Sequence, residues 1–481
     1  MGLQDQPGAL PVAIVGGGPI GLAAAAHLIE RGVPVRVFEA GSTVGASIAE
    51  WAHVRTFSPW CYDIDSAAGR LLASHGWSEP DPDHIPTGGE ILRDFLLPLA
   101  RTPEMAAIIE TGSKVARISR HGIDKVTSRD RASRPFVLSV TGSDGSTRRE
   151  LASAVIDASG TWTNQNPLGS EGFPADGEAQ HRDRIDYGIP DVLGRDRHKY
   201  AGKATLVVGA GYSAANVLLD LAKPAAVEPG TSITWVVRGT NLIRVYGGAL
   251  ADGLPARGEL GADVKALVDG GRIALVKGFR TIAIRSDASG VVLVGETSLG
   301  TRQIGPADRV VVATGQRPDL DLTRELRLDL DPWLESAKAL GHLIDPNEHS
   351  CGSVPPHGHR ELSHPEPGFY TIGVKSYGRA PTFLLLTGNE QARSVAAAIA
   401  GDLAAADDVQ LILPETGVCS TRTSAFEVVG ASACCGGPAP AGVDACCQQD
   451  ALVRSAGGDG CGCAPAPAKP TATTACCGAA A

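Results

Sequence analysis

Apolar positions along the chain gather into short β-rich runs, each punctuated by glycine. The first is Val12–Val15, in PVAIVGGGPIGLAAAAHLIERGVPVRVFEA. A glycine turn, an Ala/Leu stretch with helical spacing and a second apolar run follow, which predicts strand, helix, strand. Residues 203–238, KATLVVGAGYSAANVLLDLAKPAAVEPGTSITWVVR, repeat the pattern. Irregular segments and the runs RPFVLSV and ASAVIDASG lie between the two units. After the second come RIALVKGFRTIAIRS, GVVLVG and RVVVATG, then a closing segment with GFYTIGV and a helix, NEQARSVAAAIAGDL. Strands alternating with helices predict an α/β fold with two Rossmann-like dinucleotide-binding domains. The expected division is 10–200 for the first part of one domain, 201–315 for a second domain inserted into it, and 316–413 for the closing segment. From Ala431 to Ala481 the chain is rich in Ala, Gly and Pro and has no hydrophobic period. Such a segment buries too little apolar surface to offset its chain entropy, so 431–481 is expected to be a disordered tail.

Each strand–helix unit carries a glycine fingerprint. Gly16-x-Gly18-x-x-Gly21 follows the first strand and opens a helix with Pro19 at its start. The first glycine permits a tight turn, the second lets backbone approach a pyrophosphate, and the third lets helix and strand pack closely. Glu39 ends the next strand, where a carboxylate accepts from ribose hydroxyls and repels a 2′-phosphate. This site therefore takes FAD or NAD. Gly209-x-Gly211-x-x-Ala214 is the second fingerprint, with Ser213 in its helix start. Arg238 ends its second strand where the first unit has Glu39, and a guanidinium there suits the 2′-phosphate of NADPH.

Charge narrows the partners. The net charge is −10 with no basic block, so nucleic acid is not expected. No apolar run reaches the roughly 18 residues of a membrane span. The opening residues lack the basic start of a signal peptide, and a cytoplasmic enzyme with a small-molecule substrate is expected. Of eleven cysteines, only Cys61 and Cys351 precede residue 400, a distribution unlike that of a disulfide-stapled secreted fold.

The turns VIDASGTW (Val155–Trp162) and VVVATGQRPD (Val310–Asp319) each end a β-run on small residues. With the two fingerprints, they make residues 10–410 resemble the flavoproteins with two dinucleotide-binding domains. Gly194 and His198 keep part of a linker motif of flavin-containing and N-hydroxylating monooxygenases, which the chain resembles in domain order. The resemblance implies FAD in the first domain, NADPH in the second, and Gly160, Thr314 and Gly315 in the turns joining them. It also implies oxygenation of a soft nucleophile through a flavin hydroperoxide. Disulfide reductases of this architecture need a cysteine pair beside the flavin, and neither fingerprint domain has one. Gly373, after YTIGV, is followed by Val374-Lys375, where those reductases have an acidic residue. Gly388 marks the start of the closing helix, whose amides are candidates to polarise the flavin.

Candidate substrate-side residues lie in WAHVRTFSPWCYDID (Trp51–Asp65). Arg55, Phe57, Ser58, Pro59 and Trp60 are either flavin-face residues or ordinary core packing, and Arg55, Ser58 and Trp60 are the catalytic candidates. His349-x-Cys351 and His357-x-His359 are a candidate soft-metal set or solvated loop residues. The tail holds Cys434, Cys435, Cys446, Cys447, Cys461, Cys463, Cys476 and Cys477. Neighbouring thiols without zinc-ribbon spacing suit soft ions such as As(III), Hg(II) or Cu(I). The whole chain is similar to the flavin monooxygenases of arsenic-resistance gene clusters. Three uses of the tail stay open: substrate delivery, sequestration of a metal or metalloid ion, and thiol–disulfide exchange with the flavin.

Overall fold

The computed structural model describes residues 10–247, 252–347, 354–381, 383–411 and 413. Two parallel five-stranded sheets organise them. The first contains β1 (Val12–Val15), β2 (Val35–Phe38), β3 (Ile109–Glu110), β7 (Ala154–Asp157) and β16 (Phe369–Thr371), in the order β16-β7-β1-β2-β3. A three-stranded antiparallel meander, β4 (Ser113–Arg120), β5 (Phe136–Gly142) and β6 (Thr147–Ala152), is spliced in before β7.

The second sheet repeats this plan. It contains β8 (Ile185–Tyr187), β9 (Ala204–Val208), β10 (Ser232–Val236), β11 (Ala274–Val276) and β15 (Arg309–Val312), in the order β11-β10-β9-β15-β8. Its meander is β12 (Arg280–Asp287), β13 (Gly290–Thr297) and β14 (Gly300–Ala307), placed before β15. Because β16 returns to pair with β7, the second sheet is inserted into the first. Its edge strand β8 comes from before residue 200, ahead of the fingerprint that opens the repeated unit. The run RIALVKGFRTIAIRS is divided between β11 and β12, with the break at Lys277–Phe279. One apolar run therefore serves two sheets.

The continuous hydrophobicity of the central strands follows from burial on both faces. Ile14, Val37 and Ile156 pack with the helix Pro19–Glu30, while Ala13, Val15 and Val155 meet Phe136 and Leu138 of the first meander. Val207, Trp235 and Val311 likewise pack with the helix Tyr212–Ala225, and Leu206, Val208 and Val310 meet Leu293 of the second meander. Each domain is thus a helix–sheet–meander sandwich whose strand ends carry the loops that matter. No described helix is long and apolar enough to cross a membrane.

Candidate functional site

The glycine loops have the shape a dinucleotide needs. Gly16 has φ +104°, and a Cβ on it would stand 2.6 Å from the carbonyl oxygen of Ala158. A Cβ on Gly21 would collide with the carbonyl of Gly16, whereas nothing lies within 4 Å of one on Gly18. Gly18 is the N-cap of the helix Pro19–Glu30, which has no side-chain cap. Pro19 sacrifices no hydrogen bond there, since a first-turn amide has no intrahelical partner. The remaining first-turn amides are free to take an anion. Glu39 holds the loop from the other side: Oε2 accepts from the amide of Gly17 at 2.6 Å and Oε1 from that of Gly41 at 2.7 Å. Each oxygen keeps a lone pair for a ribose hydroxyl. These residues fit FAD.

The second loop is built the same way. Gly209 has φ +137°, and a Cβ there would collide with the carbonyl of Ala313. Gly211 caps the helix Tyr212–Ala225 with open space beside it, Ser213 lies in the first turn, and Ala214 is buried under the helix. Arg238, two residues past β10, is exposed and donates from Nη1 to the Ser170 carbonyl at 3.0 Å. Its charge stands beside the strand end, as a 2′-phosphate site requires.

The connections between domains are laced together. Gln165 and Gln316 form an antiparallel bridge. Thr314 donates from Oγ1 to the Asn166 carbonyl at 3.1 Å, Asn166 returns Nδ2 to the Thr314 carbonyl at 3.0 Å, and its amide donates to Gly315 at 2.9 Å. Gly160 ends the corresponding first turn, where a Cβ would lie 4.0 Å from Val374 Cγ1.

A shallow cleft opens among Phe57, Tyr212, Arg257, Tyr377, Phe383 and Thr387. Phe57 and Tyr212 are 5.3 Å apart between ring centroids, and Tyr377 meets Phe383 edge-on at 5.2 Å. Arg257 is buried and paired with Asp252, Nη2 to Oδ1 at 2.7 Å and Nε to Oδ2 at 2.9 Å. The cleft thus joins the loop after the first βα unit to the starts of three helices, Tyr212–Ala225, Pro255–Asp269 and Leu385–Ile399.

Three catalytic candidates need correction. Trp60 is 1% exposed and belongs to the core of the first domain. Ser58 is buried and donates from Oγ to Oδ1 of Asp63 at 2.7 Å. Arg55 is exposed and donates to the Ile85 carbonyl. None of the three lines the cleft; Phe57 of the same loop does. The reason is local: Trp60–Asp63 forms a helical turn packed against the helix Leu385–Ile399, which draws Ser58 and Trp60 inward. Burial pushes the Asp63 carboxyl up to about 7, with the Ser58 hydrogen bond opposing it. Cys61 is exposed, and its thiol is pushed up by partial burial and then by Asp83 and Asp63, away from a reactive thiolate.

The closing segment also departs from expectation. Its helix starts at Leu385, a turn before the expected Asn389, so the Gly388 amide bonds to the Leu384 carbonyl at 3.4 Å. A Cβ on Gly388 would stand 2.5 Å from Ile20 Cδ1, so this glycine serves helix packing. Gly373 donates its amide to Oε1 of Gln391 at 2.8 Å. Gln391 Nε2 in turn lies 3.2 Å from Nε2 of His357, whose Nδ1 bonds the Pro355 carbonyl at 3.0 Å. Burial lowers the His357 pKa and keeps the ring neutral. His359 pairs instead with Asp407 at 2.8 Å, so the two histidines do not converge on an ion. Among the described residues no group of three or more His, Cys, Asp or Glu is arranged to hold a metal. His198 is exposed in its linker, and Gly194 donates its amide to Asp191 at 2.8 Å. His349, Cys351 and the eight tail cysteines, Cys434 to Cys477, lie outside the described residues.

Residues 11–132 match the family described as FAD dependent oxidoreductase. The fold as a whole aligns with those of solved flavoenzymes. The chain has the two-dinucleotide-binding flavoprotein fold. This flavoprotein fold is shared with a bacillithiol disulfide reductase from Bacillus cereus, at TM-score 0.59 and 19% identity over 82% of this chain and 99% of that one. It is shared with an FAD-bound cadaverine monooxygenase of desferrioxamine biosynthesis from Erwinia amylovora, at TM-score 0.56 and 13% identity over 87% and 99%. A flavin monooxygenase from Stenotrophomonas maltophilia aligns at TM-score 0.51 and 20% identity over 82% and 98%. No curated protein matches the chain in sequence. Tyr212, Tyr377 and Arg257 escaped the sequence reading. Tyr212 alone had a signal, its place directly after the second fingerprint glycine.

Proposed function

We propose that this flavoprotein is an NADPH-dependent monooxygenase that oxygenates a soft, electron-rich atom of a small molecule. The balance is substrate, O₂, NADPH and a proton giving oxygenated substrate, water and NADP⁺. Bound FAD supplies the relay of two electrons from NADPH to O₂. The chain's own part is to hold both dinucleotides at Gly16–Gly21 and Gly209–Ala214 and to shield the space between. The carrying observation is the cleft: its described walls are mainly aromatic and apolar, with Thr387 among them, and Arg257 there is paired with Asp252. Such walls suit an uncharged substrate better than an ammonium, which Arg257 would repel. Thioethers, thiols and trivalent arsenicals belong to that class.

A second reading draws on the tail. Eight cysteines in four clusters suit a thiophilic ion, which the tail would sequester or deliver, and the same thiols are candidates for exchange with the flavin. The deciding experiment is NADPH oxidation with O₂ uptake, measured with soft nucleophiles and with diamines. Stimulation and coupled oxygenation by the uncharged soft compounds support the monooxygenase. Purified protein that carries no FAD, or stimulation by diamines alone, removes it.

A further inference from the structure

Lys375 is 2% exposed, and Asp157, at the end of β7, is 0% exposed. Nζ of Lys375 lies 2.7 Å from Oδ2 of Asp157 and donates to Oγ of Ser159 at 2.9 Å. Ser159 donates its own hydroxyl to Oδ1 of Asp157 at 2.6 Å, and its amide donates to the same oxygen at 3.1 Å. The ammonium, the carboxylate and the hydroxyl therefore close a ring around the turn that begins at Ala158. The carbonyl of Ala158 is what leaves Gly16 no room for a side chain. On its other side Lys375 belongs to the turn Gly373–Tyr377, whose Val374 approaches Gly160.

Burying an ion pair seldom stabilises a fold more than apolar residues of the same size would. What a directional pair adds is placement, and this one stands one residue from the contact that shapes the first glycine loop. We propose that Lys375 and Asp157 are positioning residues for FAD: their ion pair sets the Ala158–Gly160 turn against Gly16 and so the loop that receives the pyrophosphate. The proposal rests on the FAD reading of that loop.

The test compares the full-length protein with Lys375→Met, Asp157→Asn and the double variant. FAD affinity is measured by flavin fluorescence after stripping and reloading, and the thermal midpoint is measured at saturating FAD. Each single variant strands a buried charge, so both its midpoint and its affinity fall. The double variant removes both charges and recovers its midpoint, yet binds FAD about tenfold more weakly than wild type, equivalent to about 1.4 kcal/mol. A double variant with wild-type affinity shows a merely structural pair and overturns the proposal. Should the charge variants fail to fold, Ser159→Ala removes only the bridging hydroxyl. It is expected to weaken FAD binding about threefold at an unchanged midpoint, from the usual size of one hydrogen bond, and unchanged affinity counts against the proposal. Wild-type protein that binds no FAD overturns the FAD reading as well. Wild-type affinity in the variants overturns only the role of the pair.

Discussion

The carbonyl oxygen of Ala158 stands 2.6 Å from where Gly16 would carry a Cβ, and Ala313 crowds Gly209 in the same way. In both domains the strand that returns beside the first strand thus shapes the glycine loop from below. Gly18 and Gly211 have no such neighbour and face open space. The two kinds of glycine separate by substitution. Gly16→Ala must carry a side chain at φ +104° against backbone, and is expected to lose about 2 kcal/mol or more of stability together with FAD. Gly18→Ala, with φ −80°, is expected to keep the thermal midpoint of FAD-free wild type and lose FAD. Equal midpoints for the two variants would contradict this division.

Arg238 reports on the second dinucleotide. Arg238→Ala removes the exposed guanidinium after β10 and leaves the strand untouched. The KM for NADPH should rise about tenfold, the loss of one charge-assisted contact, while that for NADH barely moves. Steady-state kinetics with both cofactors decide it. An equal rise for both would place the 2′-phosphate elsewhere.

Asp63 makes stability depend on pH. Its folded-state pKa, about 7, lies well above the ordinary carboxylate range, mainly through burial. The folded state therefore holds this proton longer than the unfolded state does. The stability so contributed is complete below about pH 4 and is lost as pH rises through 7, by up to about 4 kcal/mol. Asp63→Asn cannot ionise and still offers Ser58 an acceptor. Its midpoint should gain on wild type between pH 4 and 7 and run parallel above. Parallel curves over the whole range would show that Asp63 titrates normally.

The tail cysteines are expected to be separable from electron transfer. Serine at Cys434, Cys435, Cys446, Cys447, Cys461, Cys463, Cys476 and Cys477 should leave FAD content and NADPH oxidation at wild-type rates. It should abolish tight binding of arsenite or Hg(II), followed by equilibrium dialysis. A loss of NADPH turnover would instead make those thiols the electron acceptor.

Much of this was legible before folding. Glycine spacing, the acid at Glu39 and the base at Arg238 are local features, because a βα turn, its helix N-terminus and the next strand are joined by short chain. Apolar runs announced their strands for the same reason. Which side chains meet across the chain was not legible. Phe57 and Trp60 stand three apart in one aromatic loop, and one faces the cleft while the other fills the core, because a bend at Phe57 and Ser58 precedes the helical turn that opens with Trp60. Gly388 looked like a cofactor residue until the helix began a turn earlier and pressed it on Ile20. Lys375 read as a mere departure from an acidic motif. By itself the sequence determined two dinucleotide loops and their charge preference. Only the tertiary structure decided that Ala158 supports the first loop and that Lys375 meets Asp157. Those contacts join residues far apart in the chain, and burial alone brings them within a hydrogen bond of each other.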